Sequence, residues 1–479
     1  MCDVILKHGT VITMDPARRI ITDGAVAVQD DRILAVGTTP EILTAFHAAR
    51  EIDASRKVIM PGLIDGHAHA GHALIKTLGV NQPGAWGNAC YQVYQRGSDE
   101  AFWYADAQLS ALERLKCGVT TSVNLLGGGS DIMRTDAAAY GNAHCEAVQK
   151  VGIREFLAVG PNRPPFPQQF LRWNAAAARE EPVSFEQQLR VSEELIQRWH
   201  GKDRMAVCIV FPVYNPANQY SAAELEEIQY MAKAARMLSK QYQVLFMQDG
   251  HKQGTIRFAH QQLGLLGPDA VFSHNIDITA EEIDLCRQTD TKIVHNPSAI
   301  MSILGRCPVP ELLDAGVTVL LGSDGAAPDR GYDMFRHMFQ CMHYHRTYYH
   351  DPSYLPAGKV LEMVTIDAAR GLGMENEIGS LETGKKADII LVDMYKPHLY
   401  PLQMAPYRIA HYANGADVDT VLVDGKILME NRHVSHVDET VVLDQAQAAV
   451  EKALERTGLH AMLDLPDRFW GQSRLEPEN

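Results

Sequence analysis

PGLIDGHAHAGH, residues 61–72, sets an apolar run directly against a cluster of imidazoles. Side chains two apart on a strand point to the same side. If the run is a strand, His67 and His69 face one way together, with His72 close behind. What they face depends on the neighbouring strands. From about residue 59 to 370, short apolar runs alternate with longer helical stretches. The candidate strands are VIMPGLID (58–65), VTTSVNL (119–125), REFLAVG (154–160), AVCIVFPV (206–213), QVLFM (243–247), AVFSH (270–274), KIVHN (292–296) and VTVLLGS (317–323). Eight strands alternating with helices predict a (β/α)8 barrel, whose active sites lie at the C-terminal ends of the strands.

Outside that region the texture changes. VILKHGTVITMD and GAVAVQDDRILAVG near the start, and ADIILVDM (387–394) and VDTVLVDGKILMENRHV (418–434) near the end, alternate apolar and polar residues around Gly and Asp turns. The DG at 424–425 reads as a hairpin turn. The expected architecture is α/β: a (β/α)8 TIM barrel (59–370) inserted into a small discontinuous β-sandwich domain (1–58 and 371–440). A C-terminal helix and tail follow (441–479). GPNRPPFPQQF (160–170) reads as a Pro-rich loop after the third strand.

The chain has 479 residues and a net charge of −15. Its excess of acid and lack of a basic block argue against nucleic acid or an anionic membrane as partner. Eight scattered cysteines form no CxxC pair and read as reduced thiols of a cytoplasmic protein. The start carries no secretory signal, and no apolar run is long enough to span a membrane.

Two imidazoles converging at a barrel mouth make half of a divalent metal site. His274 ends the sixth candidate strand, His295 the seventh, and Asp324 follows the eighth. A carboxylate there can hold metal through one oxygen and take a proton from water through the other. Taken singly, each has an ordinary explanation as a rim residue or helix cap; together, at successive strand ends, they point to a site.

These motifs, PGLIDGHAH, the SH at 273–274, HNPS, PVPELLDAGVTVLLGSDGAA and IGSLETGKKADIILVD, occur in an order that resembles the amidohydrolase superfamily, in its s-triazine hydrolase and cytosine–guanine deaminase-like branch. The resemblance covers essentially the whole chain. It implies a barrel inserted in a β-sandwich, one divalent metal ion (zinc first, with iron, cobalt or manganese as alternatives), and water attacking an electrophilic carbon. It assigns His67 and His69 as ligands, His274 as proton shuttle or polariser and further ligand, and Asp324 as ligand and base. Two-metal relatives carry a Lys on strand four, and AVCIVFPV has none. Relatives of this kind are commonly dimers or larger, so a homo-oligomer is expected.

Strand five departs from the pattern. Such relatives carry His-x-x-Glu there, and this chain reads QVLFMQDGHKQG. An ungapped alignment puts Leu245 at the His position and Gln248 at the Glu position, leaving Gln248 to orient water or substrate without carrying a proton. A shifted register brings Asp249 or His251 into the mouth instead. Losing the acid argues for a small, cyclic or heteroaromatic amide, urea, carbamate or amino-substituted substrate, ahead of a standard purine, pyrimidine, pterin or triazine deaminase. A catalytically lapsed binding or assembly protein is the third reading. HMFQCMHYHRTYYH (337–350) reads as a barrel helix in preference to a second metal site. Trp86, Trp103 and Trp173 are candidates for pocket lining or packing, His72 reads as a rim residue, and LLGGGSD (125–131) lacks the Lys of a phosphate loop.

Overall fold

The computed structural model describes residues 2–129, 131–174, 177–466 and 469–471. Strands β1 (Cys2–Ile12), β2 (Ile20–Gln29), β3 (Arg32–Thr38), β4 (Ala48–Asp53) and β5 (Lys57–Pro61) lie before the barrel. The barrel strands are β6 (Leu63–His69), β7 (Val119–Leu125), β8 (Arg154–Val159), and, after the hairpin β9 (Gln168–Asn174) and β10 (Ala177–Val183), β11 (Met205–Val210), β12 (Phe246–Gln248), β13 (Ala270–Ser273), β14 (Lys292–His295) and β15 (Val319–Leu321). Strands β16 (Ile389–Asp393), β17 (Val418–Val423) and β18 (Lys426–Met429) follow.

The two ends of the chain share one sheet, ordered β18-β17-β16-β5-β1-β2-β3 with β4 beside β1. The junction is β5 against β16, antiparallel, with Val58 opposite Val392. Alternation along these strands buries Val4, Leu6, Val26, Ile59, Leu391 and Leu422 in a common core. Asp424 and Gly425 both have positive φ, as the tight turn between β17 and β18 requires.

The expected first barrel strand is in fact two. Gly62 divides β5, which belongs to the outer sheet, from β6, which enters the barrel. Gly62 N donates to Asp388 O in the outer layer, and Leu63 N to Gly118 O at the barrel base. The chain passes so near Thr120 that a Cβ on Gly62 would lie 2.1 Å from its Oγ1. A continuously apolar run carries no alternation to mark such a change of sheet. The Pro-rich stretch likewise runs into β9, which pairs with β10. The tip of that hairpin, 175–176, lies outside the described residues.

The eight barrel strands run parallel in the order β6-β7-β8-β11-β12-β13-β14-β15, buried on both faces as a helix-covered sheet must be. The seam between β15 and β6 is closed beyond the ladder. Asp324 N donates to His67 O at 2.9 Å. A Cβ at Gly66 would sit 2.9 Å from Leu321 O, and one at Gly322 would sit 2.8 Å from His67 O, so glycine allows the approach on both sides. Beneath the seam a buried polar network ties strands to a helix. Arg114, on Glu100–Lys116, meets Asp65 at 3.2 Å and Asn124 at 3.0 Å, and its guanidinium lies 3.7 Å from the Tyr332 ring. Asp65 accepts in turn from Ser323 N and Oγ.

The C-terminal helix, Glu439–Thr457, packs on the same Glu100–Lys116 helix, with Lys452 and Arg456 both paired to Asp99. Of the expected tail after this helix, 467–468 and 472–479 lie outside the described residues. All eight cysteines are free. Among the described residues no helix is long and apolar enough to cross a membrane.

Candidate metal centre

Strand ends deliver the site. His67 and His69 leave β6 on one side, their ring centroids 5.0 Å apart. His69 Nδ1 lies 2.9 Å from Gly127 O. A carbonyl only accepts, so Nδ1 carries the proton and the Nε2 lone pair faces the centre. His67 Nε2 lies 3.2 Å from Asp249 Oδ1 and 4.0 Å from Asp324 Oδ1. His69 Nε2 lies 3.1 Å from Asp324 Oδ1 and 3.6 Å from Asp249 Oδ2. His274 Nε2 lies 3.0 Å from Asp249 Oδ1. Two sets of donor atoms thus fall within 4.8 Å of one another, His67–His69–Asp324 and His67–Asp249–His274, with His67 common to both.

The electrostatics suit a cation. Burial alone would raise Asp324, but Arg330 and the imidazoles of His69 and His274 outweigh it and hold the carboxyl well below the ordinary range. Asp249 is partly buried, and His67 and His274 hold it well below that range. Burial opposes a charged His69, but Asp324 and Asp249 raise it. His67 Nε2 is buried without a hydrogen bond. An inward-facing imidazole lone pair, an unbonded buried ring nitrogen and two ionised carboxylates fit the donor preferences of a divalent ion. Two of these residues are also strained, with His274 at φ 70° and Asp324 at φ 60°.

Strand five corrects the ungapped register. Leu245 precedes β12, at the base of the barrel. It is half-buried, packs on the core, and gives its carbonyl to Ile209 N. Gln248 ends β12, but its Nε2 donates to Pro212 O at 2.9 Å, toward strand four and not toward the imidazoles. Asp249 is the first residue past the short strand, so it is the one that emerges at the mouth, where Ser273 Oγ also donates to it at 2.7 Å. His251 is pushed down to about 3 by burial, stacks on Phe272 and bonds Thr255 Oγ1 through Nδ1. The signal for Asp249 lies in the sequence: like His274 and Asp324, it stands just past an apolar run, with one or two residues between.

The remaining candidates divide. His72 is buried, not on the rim, stacked on His69 and edge-on to Trp86. Trp103 is fully buried with Nε1 on Ser98 Oγ, so it packs the core. Trp173 Nε1 bonds Arg96 O. His295 turns away to the Met334–Tyr349 helix, its ring 5.4 Å from that of His345. A cavity of about 410 Å3 opens onto Asp249, lined by Gly129, Asp131, Arg163, Asn215 and Lys252.

Comparison with known proteins matches residues 58–428 to the amidohydrolase family and residues 24–49 to an imidazolonepropionase-like composite domain of bacteria. The chain is 29% identical over 464 residues to a 5'-deoxyadenosine deaminase of Methanosarcina mazei, covering 95% of this chain and 99% of that one. It is 29% identical over 445 residues to a 5-methylthioadenosine/S-adenosylhomocysteine deaminase of Syntrophobacter fumaroxidans, covering 92% and 96%. In structure it is similar to a zinc-bound adenosine deaminase of Xanthomonas campestris, with a TM-score of 0.81 at 22% identity over 95% of this chain and 99% of that one. It is also similar to a zinc complex of atrazine chlorohydrolase of Arthrobacter aurescens, with a TM-score of 0.77 at 20% identity over 93% and 100%.

Proposed function

The chain belongs to the amidohydrolase family, and from that premise we propose that it hydrolyses a C–N bond of a small, nitrogen-rich substrate with one divalent ion, zinc foremost. The observation that carries this reading is the convergence of His67, His69, Asp249, His274 and Asp324 at the mouth. His67, His69 and Asp324 would hold the ion, with Asp249 taking the place of the missing strand-five ligand and His274 beside it. When bound, such an ion supplies Lewis acidity to a water molecule and brings its pKa toward neutrality.

The side chains do the rest. Gly325 N donates to Asp324 Oδ1 at 2.8 Å, and Arg330 lies 3.7 Å from Oδ2. Held ionised in this way, Asp324 can take the proton of an attacking water. Asp324 can then hand that proton on to the departing nitrogen, while His274, anchored on Asp249, polarises the substrate. Gln248, fixed on Pro212 through Nε2, would have only its amide oxygen to offer a substrate. Arg163 and Lys252 line the cavity beside Asp249 and favour a substrate with a polar or anionic end.

A second reading, aminohydrolysis of a 5'-modified adenine nucleoside, is favoured by the similar deaminases, which match this chain from end to end. The reduced thiols suit a cytoplasmic protein, and the exposed Tyr395, Tyr407 and Tyr412 suit a homo-oligomer. The test is ammonia release from 5'-substituted adenosines alongside cleavage of cyclic amides, ureas and carbamates. Each assay is run before and after chelation and zinc return. Activity lost on chelation and restored by zinc is expected. No turnover across the panel and no bound ion after supplementation would overturn the reading in favour of a lapsed relative.

A further inference from the structure

We propose that His295, Cys341 and His345 form a second metal site, separate from the mouth, that takes a thiophilic cation of the zinc class. Cys341 and His345 stand four apart on the Met334–Tyr349 helix and so share a face. His295 meets that face from the end of β14. One ligand atom from each lies within 4.8 Å of the others. Around zinc, with bonds of about 2.0–2.3 Å, donors sit roughly 3.3–3.7 Å apart, so shortening the separations by about 1.5 Å at most closes the set. The His295 and His345 rings are 5.4 Å apart, within the 5.0–5.6 Å spanned by the His67–His69 and His67–His274 pairs.

Burial supplies the independent argument. All three side chains are fully buried, and among the described residues neither ring nitrogen of His295 or His345 finds a hydrogen bond. Four unbonded nitrogens in one buried cluster call for a partner. The backbone is meanwhile held by other bonds: Ser298 Oγ to His337 Nδ1, Gln340 Nε2 to Pro297 O, and Tyr344 OH to Ser302 O and Gly305 O. The helix is thus docked on the loop after β14 without calling on the three ligands. Burial keeps both imidazoles neutral, with lone pairs free to bind; His345 is pushed down to about 4. Binding forms a metal–sulfur bond at Cys341 and releases the thiol proton to solvent. A sulfur-containing set selects for softer cations than the nitrogen and oxygen donors of the mouth.

The two sites can be told apart in wild-type protein. Metal-free protein is loaded with cobalt(II) and read in the near-ultraviolet, where only thiolate ligation gives a charge-transfer band. A band that is bleached by zinc added in excess of both sites is expected. His67→Ala should keep it, while Cys341→Ser and His345→Asn should lose it together with one ion per chain. No band in wild type, or a band undiminished in Cys341→Ser, would overturn the site and leave buried water as the partner of the four nitrogens. The wild-type measurement holds even if a variant fails to fold, and it is independent of activity at the mouth.

Discussion

Asp249→Asn removes a charge and keeps a shape. The amide can still accept from Ser273 Oγ, now 2.7 Å from the carboxylate. What it loses is the anion that approaches His274, His67 and His69 at 3.0, 3.2 and 3.6 Å. Asp324 is then the sole carboxylate among the five convergent side chains. The other acid lining the cavity, Asp131, lies 3.0 Å from Arg163 and is no substitute. Removing an outer partner of a metal ligand typically costs 10–100-fold in affinity. Removing a donor should cost at least about 100-fold, or about 2.8 kcal/mol. Turnover should fall on the order of 10²–10⁴-fold, because His274 also loses its anchor. Competition with a chromophoric chelator gives the affinity, and hydrolysis at saturating metal gives the rate. Leu245→Ala is the internal control: it should bind metal like wild type and lose about 1 kcal/mol of stability from a half-buried contact. If Asp249→Asn bound metal normally while Leu245→Ala or Gln248→Ala did not, the assignment of strand five would be wrong.

Other consequences can be measured directly. Arg114→Met should cost about 3–5 kcal/mol in denaturant unfolding, since it leaves fully buried Asp65 without its guanidinium. In Gly322→Ala the new Cβ would lie 2.4 Å from Asn296 Oδ1 and 2.8 Å from His67 O. The variant should lose about 1–3 kcal/mol and part of its metal, because His67 must shift. For the metal-free protein, Asp249 and Asp324 sit well below their ordinary value of 3.8 in the folded state. Their contribution to stability is therefore fully present above about pH 4 and is lost as pH falls through the depressed values; urea midpoints from pH 6 to pH 2 should show this, and Asp249→Asn should weaken it. Arg330→Gln should raise the Asp324 pKa and move the acid limb of kcat/KM to higher pH; an unmoved limb would assign that limb to another group.

Much of this architecture could be read in the chain because barrel strands are short apolar runs with marked ends. His67, His69, His274 and Asp324 were legible for the same reason, each lying at or just past such an end. Two things were not. The change of sheet at Gly62 occurs inside one unbroken apolar stretch, where no periodicity can betray it. The strand-five donor was obscured because a pattern borrowed from relatives drew attention to Leu245 and Gln248, while β12 is only three residues long and Asp249 begins the loop. The His295–Cys341–His345 cluster was half visible. The i, i+4 pair stands plainly in the sequence, but its third member arrives from another strand and only packing joins them.

The seam between β15 and β6 bears on how the protein is made. Asp65 and Ser323, bonded across it, are 258 residues apart in the chain. The mouth therefore does not exist on a ribosome until the eighth strand has emerged, and β5 still awaits β16 to complete the outer layer. A chain interrupted before Asp324 carries the paired imidazoles of β6 and, past strand five, Asp249, but not the carboxylate that the seam sets 3.1 Å from His69. Capture of an ion by the proposed full set would thus report that synthesis has gone past strand eight, and its binding energy would fall to finished barrels alone.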